Sequence, residues 1–290
     1  WRLRRAAASA MEHALAEGKS FHPGCSTLVL PALSIGNVGQ LAVDLLVSST
    51  GAERVAYLDD PSVLPCVGNN AYRPAPEGDL ALPLEAYDSP SNALTLIQQR
   101  SPVIKGMMIE FARNLAEFAV SNGKKHVIIL SSLDSGRRKR INASSDMQMY
   151  YISSICNDGK DEDCERLGWK RLKEYNPSQR RWMYLHSLAE GNPIQELLSF
   201  EDDLADDDYY PGLPFAALFS FCKAKSLKVT CILCYCSEGD NISDAFQLAG
   251  AACTLLGLSP DKFGGMQGGG WAIPCSWQTM YGPPPDLSMF

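Results

Sequence analysis

The sequence lacks any run of about 20 apolar residues, which is the length that a helix needs to cross the hydrocarbon core of a bilayer. Charged residues such as Asp44, Glu110 and Lys228 interrupt its most apolar segments. It also lacks an excess of positive charge, because 33 acidic residues outnumber 26 basic ones and give a formal net charge of -7 at pH 7. We therefore expect a soluble protein that binds neither membranes nor nucleic acid through its overall charge.

Residues that carry acid-base and hydrolytic chemistry are also scarce. The chain has only four histidines, and His126 opens a predicted buried strand, where a core role is more common than a catalytic one. Ser131 and Ser132 end that strand without the G-x-S-x-G turn of a nucleophilic serine. The acidic cluster at 201–208 lacks the spacing of a calcium-binding loop. The sequence therefore predicts no catalytic residue, no bound metal and no cofactor.

Ten cysteines are scattered along the chain, and several lie in apolar runs. Cys231, Cys234 and Cys236 resemble a zinc or redox pattern, but they fall within one predicted strand. Positions three apart in a strand point to opposite faces, so Cys231 and Cys234 cannot share a metal ion. We interpret the cysteines as reduced and mostly core residues of a cytoplasmic protein, with the nucleus as a second compartment.

Hydrophobic periodicity predicts one α/β domain with a central mixed, largely parallel β sheet flanked by helices. The predicted strands span 25–31, 54–58, 126–132 and 229–236, with a β ribbon at 80–97. The predicted helices span about 36–49, 103–121, 166–175 and 242–257, with another beginning near Pro214. The strand-helix-strand unit at 25–58 predicts a right-handed parallel crossover.

Composition divides the chain into three regions. They are an N-terminal extension at 1–20, an α/β domain at 21–258 with an irregular insertion at about 133–212, and a glycine- and proline-rich segment with a tail at 259–290. We expect Met11 to be the initiator and the basic residues 1–10 to be non-native. The basic run at 136–140 is either a nuclear import signal or an ordinary exposed loop.

The turn at 34–39 joins the first predicted strand to the first predicted helix and has two interpretations. Gly36 and Gly39 match two positions of the dinucleotide pattern G-x-G-x-x-G, and Asp59 or Asp60 follows the next strand. The match is partial because Ser34 replaces the first glycine. The turn could serve a nucleoside- or nucleotide-binding enzyme, or it could be a close-packed joint that binds no nucleotide.

Two segments are candidate partner-binding sites. In a packed joint, Asn37 and Gln40 would remain available to another protein. The second segment is the C-terminal tail, formed by Leu287, Ser288, Met289 and Phe290. Three prolines before it hold the chain extended, which suits a docking peptide. The alternative is a tail that packs on its own domain.

Five motifs follow one another along the chain. They are PALSIGNVGQLAVDL at 31–45, VGNN at 67–70, VIILSS at 127–132, SEGDN at 237–241 and IPCSW at 273–277. Together they resemble the proteasome assembly chaperone 2 family over about 21–290. The first motif is specific to that family, whereas the others alone are weak.

The resemblance implies a non-catalytic chaperone that forms a heterodimer with a paralogue, proteasome assembly chaperone 1. The pair would bind α-type subunits of the 20S core particle, promote assembly of the α ring and prevent incorrect α-subunit association. The implied fold is a mixed sheet between helices, related to nucleoside-phosphorylase-like proteins. Family tails that enter α-ring pockets end in a hydrophobic residue, tyrosine and any residue. Met289 stands where that tyrosine is expected, so the resemblance assigns pocket insertion to the partner's tail.

Overall fold

The computed structural model describes residues 11–73, 80–137, 148–192, 213–263 and 270–280. Its strands are β1 (Glu12–Leu15), β2 (Thr27–Pro31), β3 (Glu53–Asp59), β4 (Gly68–Asn69), β5 (Leu80–Ala81), β6 (Leu84–Ser89), β7 (Leu94–Gln99), β8 (His126–Asp134), β9 (Tyr150–Ser153), β10 (Lys170–Arg171) and β11 (Lys228–Cys236). Its α-helices are α1 (Val38–Ser49), α2 (Met108–Ser121), α3 (Glu162–Arg166), α4 (Arg180–Ala189), α5 (Leu213–Ala224), α6 (Ile242–Leu256) and α7 (Cys275–Met280). Within these ranges, no helix has the length and apolar character needed to span a membrane.

The described strands form a nine-stranded mixed sheet and a small two-stranded sheet. The large sheet has the order β1-β3-β6-β7-β2-β8-β11-β9-β10, and β4 pairs with β5. Its central strands β7, β2, β8 and β11 are parallel, and antiparallel pairs follow on both sides. The predicted single α/β domain with a mixed, largely parallel sheet flanked by helices is confirmed.

The centre of the sheet is buried on both faces, which explains its continuous apolar sequence. In β8, Val127 and Ile129 pack in one core layer with residues of α2, α4 and α5. Ile128 and Leu130 alternate with them and pack in the other layer, with residues of α1 and α6. All four side chains are fully buried, and burial of each contributes about 1.5–3 kcal/mol before the entropy cost of ordering it.

Two predicted helices begin later than their apolar patterns suggest. Helix α1 starts at Val38 because Gly36 and Asn37 adopt left-handed backbone angles, with φ of 62° and 50°. Helix α2 starts at Met108, five residues after the predicted start, because the left-handed Gly106 has a φ of 82°. Right-handed helices do not accept such residues, so each positive φ sets a boundary.

The predicted helix at 166–175 is wrong. The chain instead forms α3, which ends at Arg166, and then the short strand β10. Asp161 caps α3 because its carboxylate accepts a hydrogen bond from the Asp163 backbone N–H at 3.0 Å. The left-handed Gly168, with a φ of 78°, follows the helix. The Asp161 cap therefore sets the start of the helix and Gly168 follows its end, so that the helix lies several residues earlier than predicted.

The predicted parallel crossover at 25–58 needs a correction. β2 and β3 run in the same direction, but they are not hydrogen-bonded neighbours. The β6–β7 hairpin lies between them, antiparallel to β3 and parallel to β2. The prediction placed β3 beside β2 because the two strands are adjacent in sequence. In the structure, a hairpin from later in the sequence occupies that place in the sheet.

Other predictions fall wholly or partly outside the described residues. These are residues 1–10, the basic run beyond residue 137, the acidic cluster at 201–208 and the tail at 287–290. Within the predicted N-terminal extension, Glu12–Leu15 form β1 and pair with β3. Within the predicted irregular insertion, the described residues form β9, α3, β10 and α4.

Candidate functional site

The joint between β2 and α1 is sterically tight, and its glycines leave no room for a side chain. A Cβ atom at Gly36 would collide with the side chain of Asn241 at the start of α6. A Cβ atom at Gly39 would collide with the backbone oxygen of Leu130 in β8. The two glycines therefore permit close packing between three segments of the fold.

Hydrogen bonds fasten this joint to the ends of the neighbouring strands. The Ile35 carbonyl accepts a bond from Ser132 Oγ at 2.7 Å and lies 3.5 Å from Cys236 Sγ. At the end of β2, the Ala32 N–H donates to the Leu130 carbonyl at 2.8 Å. The serine at the end of β8 therefore orients the turn, and it is not arranged as a nucleophile.

The position that a phosphate would need beside Gly36 is occupied by protein. Asn241 is 3% exposed, and its Nδ2 donates to the Ser237 carbonyl at 2.8 Å and to Asp244 Oδ2 at 2.7 Å. A phosphate cradle presents free backbone N–H groups and excludes nearby negative charge. Here the Asn241 side chain fills the space and the Asp244 carboxylate adds negative charge, so the geometry favours the packed joint.

The two residues of this joint that were predicted to bind a partner differ in their exposure to solvent. Asn37 is exposed at the N-terminus of α1, whereas Gln40 is partly buried. The Gln40 carbonyl accepts a hydrogen bond from Gln98 Nε2 at 2.8 Å. Partner binding by Asn37 and Gln40 stays a prediction, and Asn37 is the more accessible of the two. The other predicted partner-binding residues, at 287–290, lie outside the described residues.

The residues that precede the tail are anchored firmly on the domain. Trp277 is 4% exposed and packs edge-on against Phe246 of α6, with the ring centroids 6.3 Å apart. Trp271 contacts the same phenylalanine and also Phe263. The Ser276 N–H donates to the Ala71 carbonyl at 3.0 Å. The chain therefore continues toward the tail from a fixed position beside the loop at 70–73.

A buried ionic network, which sequence patterns did not reveal, connects α1 to four other segments of the fold. Arg100 Nη2 lies 3.0 Å from Asp44 Oδ1, and Arg100 Nε lies 3.5 Å from Glu85 Oε2. The Tyr72 hydroxyl also donates to Asp44, at 2.5 Å. Arg54 Nη1 lies 2.9 Å from Glu85 Oε1. A charged residue among the apolar residues of α1, Asp44, is the only sequence signal that indicated such a network.

Raised pKa values keep Tyr72 neutral and Arg100 charged, which indicates a structural role. Burial and then the Asp44 charge raise the pKa of Tyr72 well above its usual value. Burial opposes the charge of Arg100, but Asp44 and Tyr72 more than compensate and raise its pKa. A general acid or base needs a pKa near the working pH, and neither side chain provides one.

The buried thiols and histidines are neutral at physiological pH. Cys231 and Cys234 lie in opposite core layers, as predicted, and burial raises the pKa of Cys231 well above its usual value. Burial, and then the charge of Lys228, lowers the pKa of His126 to about 4. Its Nε2 lies 3.0 Å from Thr230 Oγ1. Among the described residues, no group of three or more His, Cys, Asp or Glu is placed to hold a metal ion.

These features define an α/β protein whose strand-helix joint is filled by its own side chains and whose buried charges connect structural elements. The PAC2 family model matches residues 28–259. The chain belongs to the PAC2 family.

Relatives in this family are similar over nearly the whole chain. Proteasome assembly chaperone 2 of Xenopus laevis is 30% identical over 263 residues, which cover 90% of this chain and 93% of the relative. Proteasome assembly chaperone 2 of Homo sapiens is 30% identical over 271 residues, which cover 90% and 94%. The crystal structure of Pyrococcus furiosus PbaA, an archaeal homologue of proteasome-assembly chaperone, has the same fold. It superposes with a TM-score of 0.56 at 16% identity and covers 86% of this chain and 87% of PbaA.

Proposed function

We propose that this protein is a non-catalytic proteasome assembly chaperone that works as a heterodimer with proteasome assembly chaperone 1. The heterodimer binds α-type subunits of the 20S core particle, promotes formation of the α ring and prevents incorrect α-subunit association. The observation that carries the proposal is the 30% identity to relatives named proteasome assembly chaperone 2, over nine-tenths of both chains. The filled joint at Gly36 supports the non-catalytic part.

Binding by shape and charge explains how such a protein could act without chemistry. Subunits that form a ring pair through large surfaces, and a bound chaperone blocks incorrect pairings by covering one of these surfaces. Rigid presentation lowers the entropy cost of such binding. The buried network around Arg100 and the anchored Trp277 both favour a rigid domain.

Reconstitution from purified proteins tests the proposal. The chain, proteasome assembly chaperone 1 and the α-type subunits are mixed, and complexes are separated by size-exclusion chromatography with mass measurement by light scattering. We expect co-elution of the two chaperones and a larger yield of seven-membered rings than in a mixture without them. Elution of this chain apart from both the paralogue and the α subunits would refute the proposal.

We also propose that the protein acts in the cytoplasm and, as a second compartment, in the nucleus. The support is that all ten cysteines are free, including the exposed Cys66 and Cys156, and that seven of them are buried. Imaging of the tagged full-length protein in intact cells tests this, and a signal confined to a membrane-bound organelle other than the nucleus would contradict it.

A further inference from the structure

Strand β1 is an edge strand whose outer backbone groups have no partner strand among the described residues. Among the described strands, it pairs only with β3. The Ala16 N–H donates to the Val55 carbonyl at 2.9 Å. Ala16 and Val55 stand two positions along the ladder from the pair Ala14 and Tyr57, so both pairs are of the hydrogen-bonded kind. Hydrogen-bonded and non-hydrogen-bonded pairs alternate along an antiparallel ladder. The N–H and C=O groups of His13 and Leu15 therefore point away from β3, at the spacing that another strand requires.

The two edges of the sheet differ in how they are protected. At the opposite edge, β10 has two residues, Lys170 and Arg171, and Arg171 Nη1 donates to the Asp158 carbonyl at 2.6 Å. Short, positively charged edges resist the addition of another strand. β1 is twice as long, all four residues are exposed, and Leu15 is 47% exposed. The β1 edge is therefore the more receptive of the two.

The surface beside β1 combines apolar side chains with unbalanced negative charge. A cleft of about 460 Å³ lies between β1, β3 and the segment at 63–66. Glu12 and Asp59 line it and stand directly opposite each other in the β1–β3 register. Like charges in this arrangement repel and destabilise the strand pair. Neither carboxylate has an ion-pair partner within the described part of the chain.

Apolar side chains extend this surface. Leu64 and Val67, which are 45% and 66% exposed, flank the residues of the cleft at 65 and 66. Leu80 of β5, two residues before the cleft residue Leu82, is 52% exposed. Exposed apolar groups of this size, beside an open strand edge, are typical of a site that another protein covers.

We propose that the outer edge of β1 receives an extended segment of a partner protein as an added strand, and that this segment carries a basic side chain opposite Glu12 and Asp59. Backbone groups of His13 and Leu15 supply the hydrogen bonds, which is the general mode of strand addition. A second copy of this chain is a poorer occupant, because it would bring the same unpaired carboxylates to the contact. The inference rests on the proposed function, since the segment belongs to the proposed heterodimer partner, the paralogous chaperone. Binding of an α-type subunit at this edge is the alternative that the test separates.

Proline substitutions at the outward-facing residues test the backbone contact. His13→Pro and Leu15→Pro each remove one outward N–H and keep the hydrogen bonds to β3, which suits proline in an edge strand. His13→Val and Leu15→Ala are the matched controls, because they change the side chain and keep the N–H. Surface plasmon resonance measures the affinities of the full-length variants for purified proteasome assembly chaperone 1 and for the α-type subunits. We expect each proline variant to bind proteasome assembly chaperone 1 about two- to ten-fold more weakly than its control. Weakening toward the α-type subunits alone would overturn this choice of occupant.

Charge substitutions provide a second test that does not depend on proline. Glu12→Gln removes the repulsion with Asp59, so the free chain should melt at a higher temperature, while binding of the basic segment should weaken. These opposite signs distinguish a binding role from a structural one. Hydrogen exchange should also show slower exchange at residues 13 and 15 when the partner is added.

The outcomes separate this inference from the proposed function. A wild-type chain that binds neither partner overturns the proposed function, and this inference with it. A wild-type chain that binds, with proline variants equal to their controls and no added protection at residues 13 and 15, overturns the strand-addition site alone. If a proline variant does not fold, the Glu12→Gln and hydrogen-exchange results decide.

Discussion

At the scale of single residues, the shape of the β2–α1 joint depends on Gly36. Its φ of 62° costs an alanine about 1–2 kcal/mol, and an added Cβ would also collide with Asn241. We expect Gly36→Ala to lower the free energy of unfolding by about 3 kcal/mol, and Gly36→Val to impair folding and partner binding together. Denaturant unfolding and the heterodimer affinity measure the two effects.

Gly51 provides the matched control for the steric part of this prediction. Its φ of 60° is nearly the same, but a Cβ atom there would meet nothing within 4 Å. Gly51→Ala should therefore cost only the backbone term of about 1–2 kcal/mol. If Gly36→Ala and Gly51→Ala lose equal free energies of unfolding, the contact with Asn241 is not what requires glycine at position 36.

The buried His126 predicts a pH-dependent stability. Its pKa is about 4 in the folded protein and about 6.5 in an unfolded chain, so the unfolded state binds more protons between these values. Stability should therefore fall as the pH drops from 6.5 toward 4, by about 2–3 kcal/mol from this residue. Denaturant unfolding at a series of pH values measures the slope.

Replacement of the histidine isolates its contribution. His126→Gln cannot titrate and should flatten the curve between pH 6.5 and 4. His13→Gln removes an exposed histidine and should leave most of the slope in place. A curve for His126→Gln that matches the wild type would contradict the assignment.

At the scale of secondary-structure elements, the network around Arg100 fastens α1 to β6 and to the loop at 70–73. Arg100→Met would leave Asp44 and the fully buried Glu85 with less compensating charge. Removal of one partner from a buried ionic network typically costs about 3–5 kcal/mol. We therefore expect a loss near 3 kcal/mol in thermal or denaturant unfolding, since Tyr72 and Arg54 still bind the carboxylates.

An exposed ion pair provides the comparison. Lys160 lies 4.0 Å from Asp158, and both side chains are more than half exposed. Lys160→Met should change stability by no more than about 0.5 kcal/mol. A similar small effect for Arg100→Met would show that the buried network contributes little.

Elements with strong periodicity could be predicted, and elements defined by contacts from distant residues could not. β8 could be predicted because burial on both faces produces a continuous apolar run. α6 could be predicted because burial on one face produces an apolar stripe at helical spacing. β10 has two residues and exists because it pairs with β9. The order of the strands also escaped prediction, because a later hairpin separates β2 from β3.

At the scale of the whole molecule, the anchored residues before the tail imply that the tail itself contributes little to folding. Trp271 and Trp277 pack in the core layer formed with α6, and they precede the predicted docking residues at 287–290. Deletion of 287–290 should therefore leave the melting temperature unchanged and weaken association with α-type subunits by less than about tenfold. Calorimetry and binding measurements on the same samples test both parts.

A substitution of Trp277 is the control that should lower stability. Trp277→Ala removes a large buried aromatic side chain and should cost about 3–5 kcal/mol in unfolding free energy. If the truncation of 287–290 leaves the dissociation constant for α subunits unchanged, those residues are not a docking peptide.

The candidate site was only partly visible in the sequence. Gly36 and Gly39 marked the joint, because a strand-to-helix turn with two glycines indicates close approach of backbones. The occupant of that space, Asn241, lies 205 positions away in the sequence, so no local pattern could reveal it. The open edge of β1 is also a property of strand order, which the spacing of residues does not encode.

If residues 287–290 are a docking peptide, as the sequence predicts, the fixed position of Trp277 makes them a tethered ligand. Residue 287 lies seven positions beyond α7, and seven residues span at most about 25 Å when fully extended. Confinement to that radius gives residue 287 an effective concentration in the millimolar range at any surface it can reach. Once the domain is bound, even a weak site for the tail within that distance would therefore be occupied much of the time, and one beyond it would not be reached.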